Sequence, residues 1–318
     1  MKESKQNAVK QQIFNFRESI SQILRCDIYK NETRHSRSLL NSHSVAQVGG
    51  TLTAGFSELD KLSVNLQPSN LMIIASFPWM NASELLLSMA TNITLNQKKR
   101  IGIINRSNVT EMIAARILSN IVDISPFAMR EGWLTSDDAN KIICAKSILD
   151  YESIIIATES IDGNALLKCI RNMKMQHDIE YVFIDAGKKK WRDVTESYAK
   201  QCMKMMVSIK KTADELQIPI IVSIDLPAKY EECGNVRPSL KDVEKYGCIE
   251  NVADIMALVY LDESWRFENK DRMGKETIDG YAEITESEII IAKNGDKSEE
   301  IAYLTFNRDY ARFESRRI

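Results

Sequence analysis

The chain has 318 residues, of which 44% are hydrophobic and 27% are charged, and its formal net charge is −2. This length accommodates one large α/β domain with an appendage, and the charge argues neither for nor against a nucleic-acid partner. No stretch approaches the roughly 18 apolar residues of a membrane span, and the polar N-terminus lacks the apolar core of a secretion signal. The six cysteines form no C-x-x-C pair and the three histidines are scattered. We therefore expect reduced thiols in a cytoplasmic protein with no membrane partner.

The first predicted element is an amphipathic helix over residues 1–31. Five apolar residues recur at helical spacing and form one face: Val9, Ile13, Phe16, Ile20 and Ile23. Residues 1–45 hold eight lysines and arginines against four acidic residues. This basic excess would suit an acidic surface or nucleic acid, and the alternative is an ordinary solvated helix. Residues 32–52 are polar and are predicted to be a linker.

From residue 53 to the C-terminus the pattern predicts one α/β domain. Apolar runs of strand length alternate with helical patterns, which predicts a mostly parallel central sheet with helices on both faces. The predicted strands are residues 71–75, 101–105, 153–158, 181–185, 218–225 and 255–261, and helices are predicted near 83–95, 109–121, 126–150, 161–175 and 198–216. Residues 281–293 and 301–306 have no helix between them, so they predict an antiparallel hairpin that turns at 294–296.

The stretch over residues 71–95 has the strand–loop–helix form in which P-loops hold phosphate. The P-loop motif G-x-x-x-x-G-K-[ST] would fall on Ser76 to Ser83, and only Ser83 matches it. Ser76 and Asn81 stand where glycines are expected, and Ala82 stands in place of the lysine. By its own pattern this loop is not a P-loop.

Ligands of parallel α/β sheets bind at the carboxyl ends of the strands. Four features are predicted to lie there: the loop 76–83, Ser107 after the second strand, Asp185 after the fourth and Asp225 after the fifth.

Several segments, in order, resemble the C-terminal ATPase domain of bacterial replicative helicases, the DnaB-type branch of the RecA-like P-loop NTPase fold. The segments that carry the resemblance are TAGFSELD (53–60), LQP (66–68), GWLTSDD (132–138), DELQIP (214–219), GCIENVAD (247–254) and FNRDYARFE (306–314). The loop keeps Ala75, Pro78, Met80 and Ser83 of the family's P-loop framework. We expect the chain to lack the family's separate N-terminal domain, which meets primase. Residues 1–31 then correspond to the linker helix that packs on an adjacent subunit.

The resemblance implies a vestigial nucleotide site, with ATP or ADP and Mg²⁺ as its candidate ligands. Ser76, Pro78, Asn81, Ala82 and Ser83 form its loop. Ala82 replaces the lysine that neutralises phosphate, and Asn81 brings a side chain into the cradle.

The resemblance also assigns roles outside the loop. Ser83 and Asp185 would hold Mg²⁺, although without the lysine the favoured role of Ser83 is that of a plain helix N-cap. Ser107 replaces the glutamate that activates water, and Asp225 replaces the glutamine that senses the γ-phosphate. Lys293 matches the lysine that reaches a neighbour's nucleotide, and no arginine lies between Arg272 and Arg308 to act as a finger. We expect little or no ATP hydrolysis, because phosphoryl transfer depends on positioning and charge neutralisation.

A basic run with one aromatic residue follows the strand that ends at Asp185. It consists of Lys188, Lys189, Lys190, Trp191 and Arg192. In the family, loops at about this place contact single-stranded DNA, and such a composition suits phosphate contact and base stacking. The alternative is a solvated loop whose tryptophan packs on the next helix. The acidic segment 230–232 weakens the case for a continuous DNA track.

Three functional hypotheses follow. The first is a degenerate helicase homologue in DNA replication, deficient in ATP hydrolysis. It would assemble with itself or with a replicative helicase through helix 1–31 and the RecA-like core, as a structural, loading or inhibitory component. The second is an active ATP-dependent 5′→3′ DNA helicase subunit whose missing groups come from neighbours. The third is a single-stranded DNA-binding module that uses Lys188–Arg192.

Overall fold

The computed structural model describes residues 53–62, 64, 66–105, 110–148, 154–158, 163–186, 195–227, 236–261 and 284–316. The predicted helix over 1–31 and the predicted linker over 32–52 lie outside these residues. The strands are β1 (Leu71–Ser76), β2 (Ile101–Asn105), β3 (Ile154–Thr158), β4 (Tyr181–Asp185), β5 (Ile220–Asp225), β6 (Ile255–Leu261), β7 (Ile284–Asn294), β8 (Glu300–Asn307) and β9 (Arg312–Ser315). The helices are α1 (Ser57–Lys61), α2 (Ala82–Gln97), α3 (Thr110–Val122), α4 (Pro126–Glu131), α5 (Ser136–Ile148), α6 (Gly163–His177), α7 (Glu196–Leu216) and α8 (Leu240–Glu244), with a 3₁₀ turn at Ile249–Asn251.

The described strands form one nine-stranded sheet in the order β3-β2-β4-β5-β1-β6-β7-β8-β9. The first six of these strands pair in parallel, and β6 to β9 pair antiparallel. The prediction of a mostly parallel sheet with a C-terminal antiparallel hairpin is confirmed. The sequence did not predict β9, which adds a further strand at the edge of that hairpin.

The parallel strands are apolar because both faces of the sheet are covered. Every residue of β1, β2, β4 and β5 is buried, as expected when helices pack on each side. The antiparallel extension instead alternates. In β8, Ala302, Leu304 and Phe306 are buried whereas Tyr303 between them is exposed, so one face of the extension meets the core and the other meets solvent.

Helix α2, which follows the loop of interest, lies at the centre of the packing. It contacts both β5 and β9, and most of its residues are buried. The backbone N–H of Phe313 in β9 donates to the Ser88 hydroxyl of α2 at 3.0 Å. The C-terminal strand therefore helps to hold the helix that carries the loop.

The N-terminus of α5 is closed by a side-chain cap. Helix α5 begins at Ser136, and Thr135 directly before it provides the cap. The Thr135 hydroxyl accepts from Asp138 N at 3.2 Å, and Asp138 Oδ2 accepts from Thr135 N at 2.8 Å, so the two residues satisfy each other's exposed amides as in a capping box. Of the helices described, none combines the length and the apolar character needed to cross a bilayer.

Candidate functional site

The register of the parallel strands brings three predicted site residues, Ser76, Asp185 and Asp225, to the carboxyl ends of neighbouring strands. Asn105 pairs with Asp185, and Asp185 pairs with Ser223. On the next pair of strands, Ser76 is opposite Asp225. The carboxyl ends of β2, β4, β5 and β1 thus form a continuous polar row, next to the loop that joins β1 to α2.

Asp185 is the centre of this row. Its side chain is buried, with 1% of the residue exposed, and three neutral side chains donate to its carboxylate. Ser83 Oγ and Ser223 Oγ donate to Oδ1 at 2.9 and 3.0 Å, and Asn105 Nδ2 donates to Oδ2 at 2.8 Å. The prediction paired Ser83 with Asp185 but missed Asn105 and Ser223. Their only signal in the sequence is a polar residue near the end of an apolar strand.

The loop between β1 and α2 closes on itself. Met80 N donates to Phe77 O at 2.9 Å, which makes residues 77–80 a β-turn with Pro78 at its second position, where proline is favoured. Asn81 follows in the left-handed region, with φ 64° and ψ 43°. That conformation is one in which glycine or asparagine is tolerated best, and it turns the chain into α2.

Ser76 fills the inside of this loop. Its hydroxyl accepts from Ala82 N at 3.2 Å and donates to Phe77 O at 3.0 Å. Ser76 and Ala82 are both buried, as is Met80. The rings of Phe77 and Trp79 stack at a centroid distance of 5.4 Å and an interplanar angle of 11°, so side chains of the loop pack against one another around Pro78.

An ion pair lies beside the loop on α2. Arg116 of α3 places Nη1 3.3 Å from Oε1 of Glu84, and Glu84 is 8% exposed. Glu84 follows Ser83 directly, and its carboxylate is paired with an arginine of another helix. The pair ties the first turn of α2 to α3.

Asp225 ends β5 opposite Ser76 and is buried. Its backbone carbonyl accepts from the Tyr246 hydroxyl at 2.5 Å. Burial raises the pKa of this Tyr246 hydroxyl, and the nearby Tyr198, Cys202 and Asp225 raise it further. Asp225 therefore adds a carboxylate to the row at the position that the family resemblance assigns to a neutral glutamine.

Lys293 lies at the end of the strands opposite to the polar row. It is near the end of β7 and pairs with Met256 at the start of β6. The loop follows the end of β1, and a strand of six residues such as β1 spans roughly 20 Å. Its ammonium donates to the carbonyls of Glu250 and Ala253 at 2.8 and 2.7 Å. Lys293 thus does not join the cluster around its own loop, and the role assigned to it on a neighbour's nucleotide stays a prediction.

Two predicted features fall outside the described residues. They are Ser107, which follows β2, and the basic run Lys188, Lys189, Lys190, Trp191 and Arg192, which follows β4. Their predicted roles remain predictions.

The residues of the row fit the expected ligands only in part. Ser83 and Asp185 supply adjacent oxygen donors of the kind that Mg²⁺ prefers, but Mg²⁺ in such sites also relies on phosphate oxygens. The described residues contain no group of three histidine, cysteine or acidic side chains placed to hold a metal. The loop offers a phosphate no positive charge at Ala82, and the Ala82 N–H already donates to the Ser76 hydroxyl.

Comparison with known families decides the identity of this fold. Residues 51–315 match the model of the DnaB-like helicase C terminal domain. The chain belongs to the DnaB-like helicase C-terminal domain family. The resemblance seen in the sequence is thereby confirmed over most of the chain.

Two curated relatives illustrate the distance within the family. The chain is 28% identical over 288 residues to a "Probable plasmid replicative DNA helicase" of Chlamydia psittaci, and 27% identical over 270 residues to the "Replicative DNA helicase DnaB" of Geobacillus stearothermophilus. These alignments cover 89% and 82% of this chain but 59% and 56% of the relatives. The chain thus spans less than two thirds of the length of either relative.

Solved structures agree on the fold. One solved ATPase domain matches with a TM-score of 0.68 at 21% identity, covering 84% of this chain and 91% of that one. A DnaB-like replicative helicase, solved in a study of its interactions with primase, matches with a TM-score of 0.66 at 21% identity and covers 99% of this chain and 76% of that one. The DnaB-like fold is therefore shared.

Proposed function

We propose that this chain acts in DNA replication as a DnaB-like subunit that works through assembly and hydrolyses ATP poorly or not at all. The observation that carries the proposal is the loop at residues 76–83. The residue at its lysine position is Ala82, and the Ala82 N–H is bonded to the Ser76 hydroxyl. Family membership supports the place in replication, and the loop supports the loss of turnover.

The physical reason is uncompensated charge. A nucleotide triphosphate brings several negative charges, and catalysis of its transfer consists largely of placing cations and dipoles around them. In this chain the loop offers no cation at Ala82, and the neighbouring strand ends in Asp225, which adds negative charge opposite Ser76. An absent arginine finger by itself removes roughly 10³–10⁵ in rate.

Assembly is supported by apolar surface that needs a partner. On the described surface, Trp133 is 68% exposed and Phe127 is 49% exposed, and the two rings meet edge to face at 5.2 Å. The amphipathic segment predicted over residues 1–31 has an apolar face of matching character. We assign this aromatic pair as the binding site for residues 1–31 of a second copy of the chain. The alternative partner at this site is a replicative helicase.

One observation favours the second hypothesis, an active subunit completed by its neighbours. The contact between Ser83 and Asp185 is in place at 2.9 Å, so the pair that would hold Mg²⁺ is intact. A competent neighbour would then have to supply the missing cation as well as the finger. A single-stranded DNA-binding role rests on Lys188–Arg192 alone and stays a prediction.

Sedimentation of the full chain with and without ATP and Mg²⁺ tests the assembly proposal. We expect self-association that is independent of nucleotide and is reduced at least tenfold by Trp133→Ser. Met175→Ser is the matched control, because Met175 is 81% exposed on α6 and lies outside the aromatic pair. A monomeric chain that binds only when a replicative helicase is added would favour the competing partner. Association that requires ATP would contradict the proposal.

A further inference from the structure

The N–H of Ala82 is a hydrogen-bond donor that would bind a phosphate oxygen at this loop. Backbone N–H groups at the N-terminus of a helix point outward and hold phosphate oxygens where a P-loop is functional. Here Ala82 is the first residue of the 16-residue helix α2, and its N–H already has an acceptor, the Ser76 hydroxyl at 3.2 Å. An oxygen of the chain itself therefore stands where a phosphate oxygen would stand.

The Ser76 hydroxyl is fixed in this position. Its own proton goes to the carbonyl of Phe77 at 3.0 Å, so its lone pairs are left to face the Ala82 N–H. Ser76 is fully buried, and its backbone carbonyl accepts from Leu226 N at 2.7 Å. Both bonds to the side chain and the strand pairing of the backbone therefore act against a swing of the hydroxyl out of the loop.

The rest of the loop closes around this contact. The turn formed by Met80 N and Phe77 O commits a second N–H of the loop to an internal acceptor. The rings of Phe77 and Trp79 stack on each other in this turn, and the side chain of Met80 is buried. Two N–H groups of the loop, those of Met80 and Ala82, are thus bonded to acceptors within the loop itself.

We propose that Ser76 is a built-in occupant of the phosphate cradle, and that it excludes phosphate independently of the missing lysine. The loop then has two separate defects. Ala82 leaves phosphate charge unanswered, and Ser76 blocks the place where a phosphate oxygen would bind. Restoring a lysine alone leaves the second defect in place. This inference rests on the proposed function, since it adds a second reason for weak binding of the phosphates of ATP.

Titration of the full chain with inorganic pyrophosphate, followed by calorimetry, tests the proposal. The chains compared are wild type, Ala82→Lys, Ser76→Ala and the double variant Ser76→Ala with Ala82→Lys. We expect the double variant to bind pyrophosphate at least tenfold more tightly than Ala82→Lys alone. Tenfold corresponds to ~1.4 kcal/mol, which is about the net contribution of one hydrogen bond. Pyrophosphate binding by Ala82→Lys that equals binding by the double variant would overturn the proposal.

Two further variants keep the result clear. Ser76→Thr combined with Ala82→Lys retains the hydroxyl and should bind like Ala82→Lys alone, so tight binding by this variant also overturns the proposal. Ser76→Gly with Ala82→Lys also removes the hydroxyl. This variant is used in place of Ser76→Ala with Ala82→Lys if the latter does not fold. A gain in neither double variant counts against the proposal.

This test separates the inference from the proposed function. ATP turnover by the wild-type chain would remove the proposed function whatever the pyrophosphate affinities are. If Ala82→Lys binds pyrophosphate as tightly as the double variant does, the inference is wrong and the proposed function is unaffected.

Discussion

The buried carboxylate of Asp185 provides a direct test of whether the polar row stabilises the fold. Replacement by alanine leaves the donors of Ser83, Asn105 and Ser223 without their shared acceptor. Each buried donor left without a partner costs about 1–3 kcal/mol, and relaxation together with the removal of a buried charge offsets part of the sum. We expect Asp185→Ala to lower the free energy of unfolding by about 3–5 kcal/mol. That is a large part of the roughly 5–15 kcal/mol typical of a domain.

Urea unfolding of the full chain measures this change, as a lower midpoint with an unchanged slope. Asp185→Asn keeps the side chain's volume and one acceptor oxygen, so it should cost about half as much or less. Thr94→Val is the control, because Thr94 is also buried but its hydroxyl donates to Ala90 O within its own helix, and it should cost under about 1 kcal/mol. An Asp185→Ala chain as stable as wild type, or more stable, would show that Asp185 is retained for a ligand and not for the fold.

Three further predictions concern the surroundings of the row. Arg116→Met leaves Glu84 without its ion-pair partner, so the free energy of unfolding should fall by about 2–3 kcal/mol. The additional change Glu84→Leu should recover at least half of that loss. Additive losses in a double-mutant cycle measured by urea unfolding would refute the pairing. Lys293→Met removes two bonds to backbone carbonyls and should cost about 1–2 kcal/mol by urea unfolding, whereas an unchanged stability would argue for a role outside its own subunit. The folded chain holds the Tyr246 proton more tightly than the unfolded chain, so stability is full at neutral pH and falls as the pH rises past about 10. Tyr246→Phe should reduce that slope by about 1.4 kcal/mol per pH unit, and an identical slope would contradict the raised pKa.

The sequence predicted the parallel sheet because its strands carry unbroken apolar runs. Residues 71–75 and 181–185 needed no tertiary information to be recognised, and the polar ends of those runs placed the site at the correct edge. The strand β9 was missed because its four residues contain only one buried apolar side chain, Phe313. A strand of that kind is defined by its partner, and no pattern along the chain encodes that partner.

The interior of the site could not be predicted for the same reason. Asn105 and Ser223 reach Asp185 through the register of three strands, and register is a property of the sheet. The bond from Ala82 N to Ser76 depends on the turn between them, so the sequence alone could mark Ser76 only as a missing glycine. The carbonyl partners of Lys293 likewise appear only when β7 is laid against β6.

Phosphate release from ATP by the purified full chain tests the central claim most directly. The assay is run with Mg²⁺, with and without single-stranded DNA, and at concentrations where the chain self-associates. We expect the same release from wild type and from Ser83→Ala, a variant that removes the hydroxyl facing Asp185 but keeps the loop. Turnover of about 1 s⁻¹ or more, in the range of ordinary enzymes, that is abolished by Ser83→Ala would contradict the account.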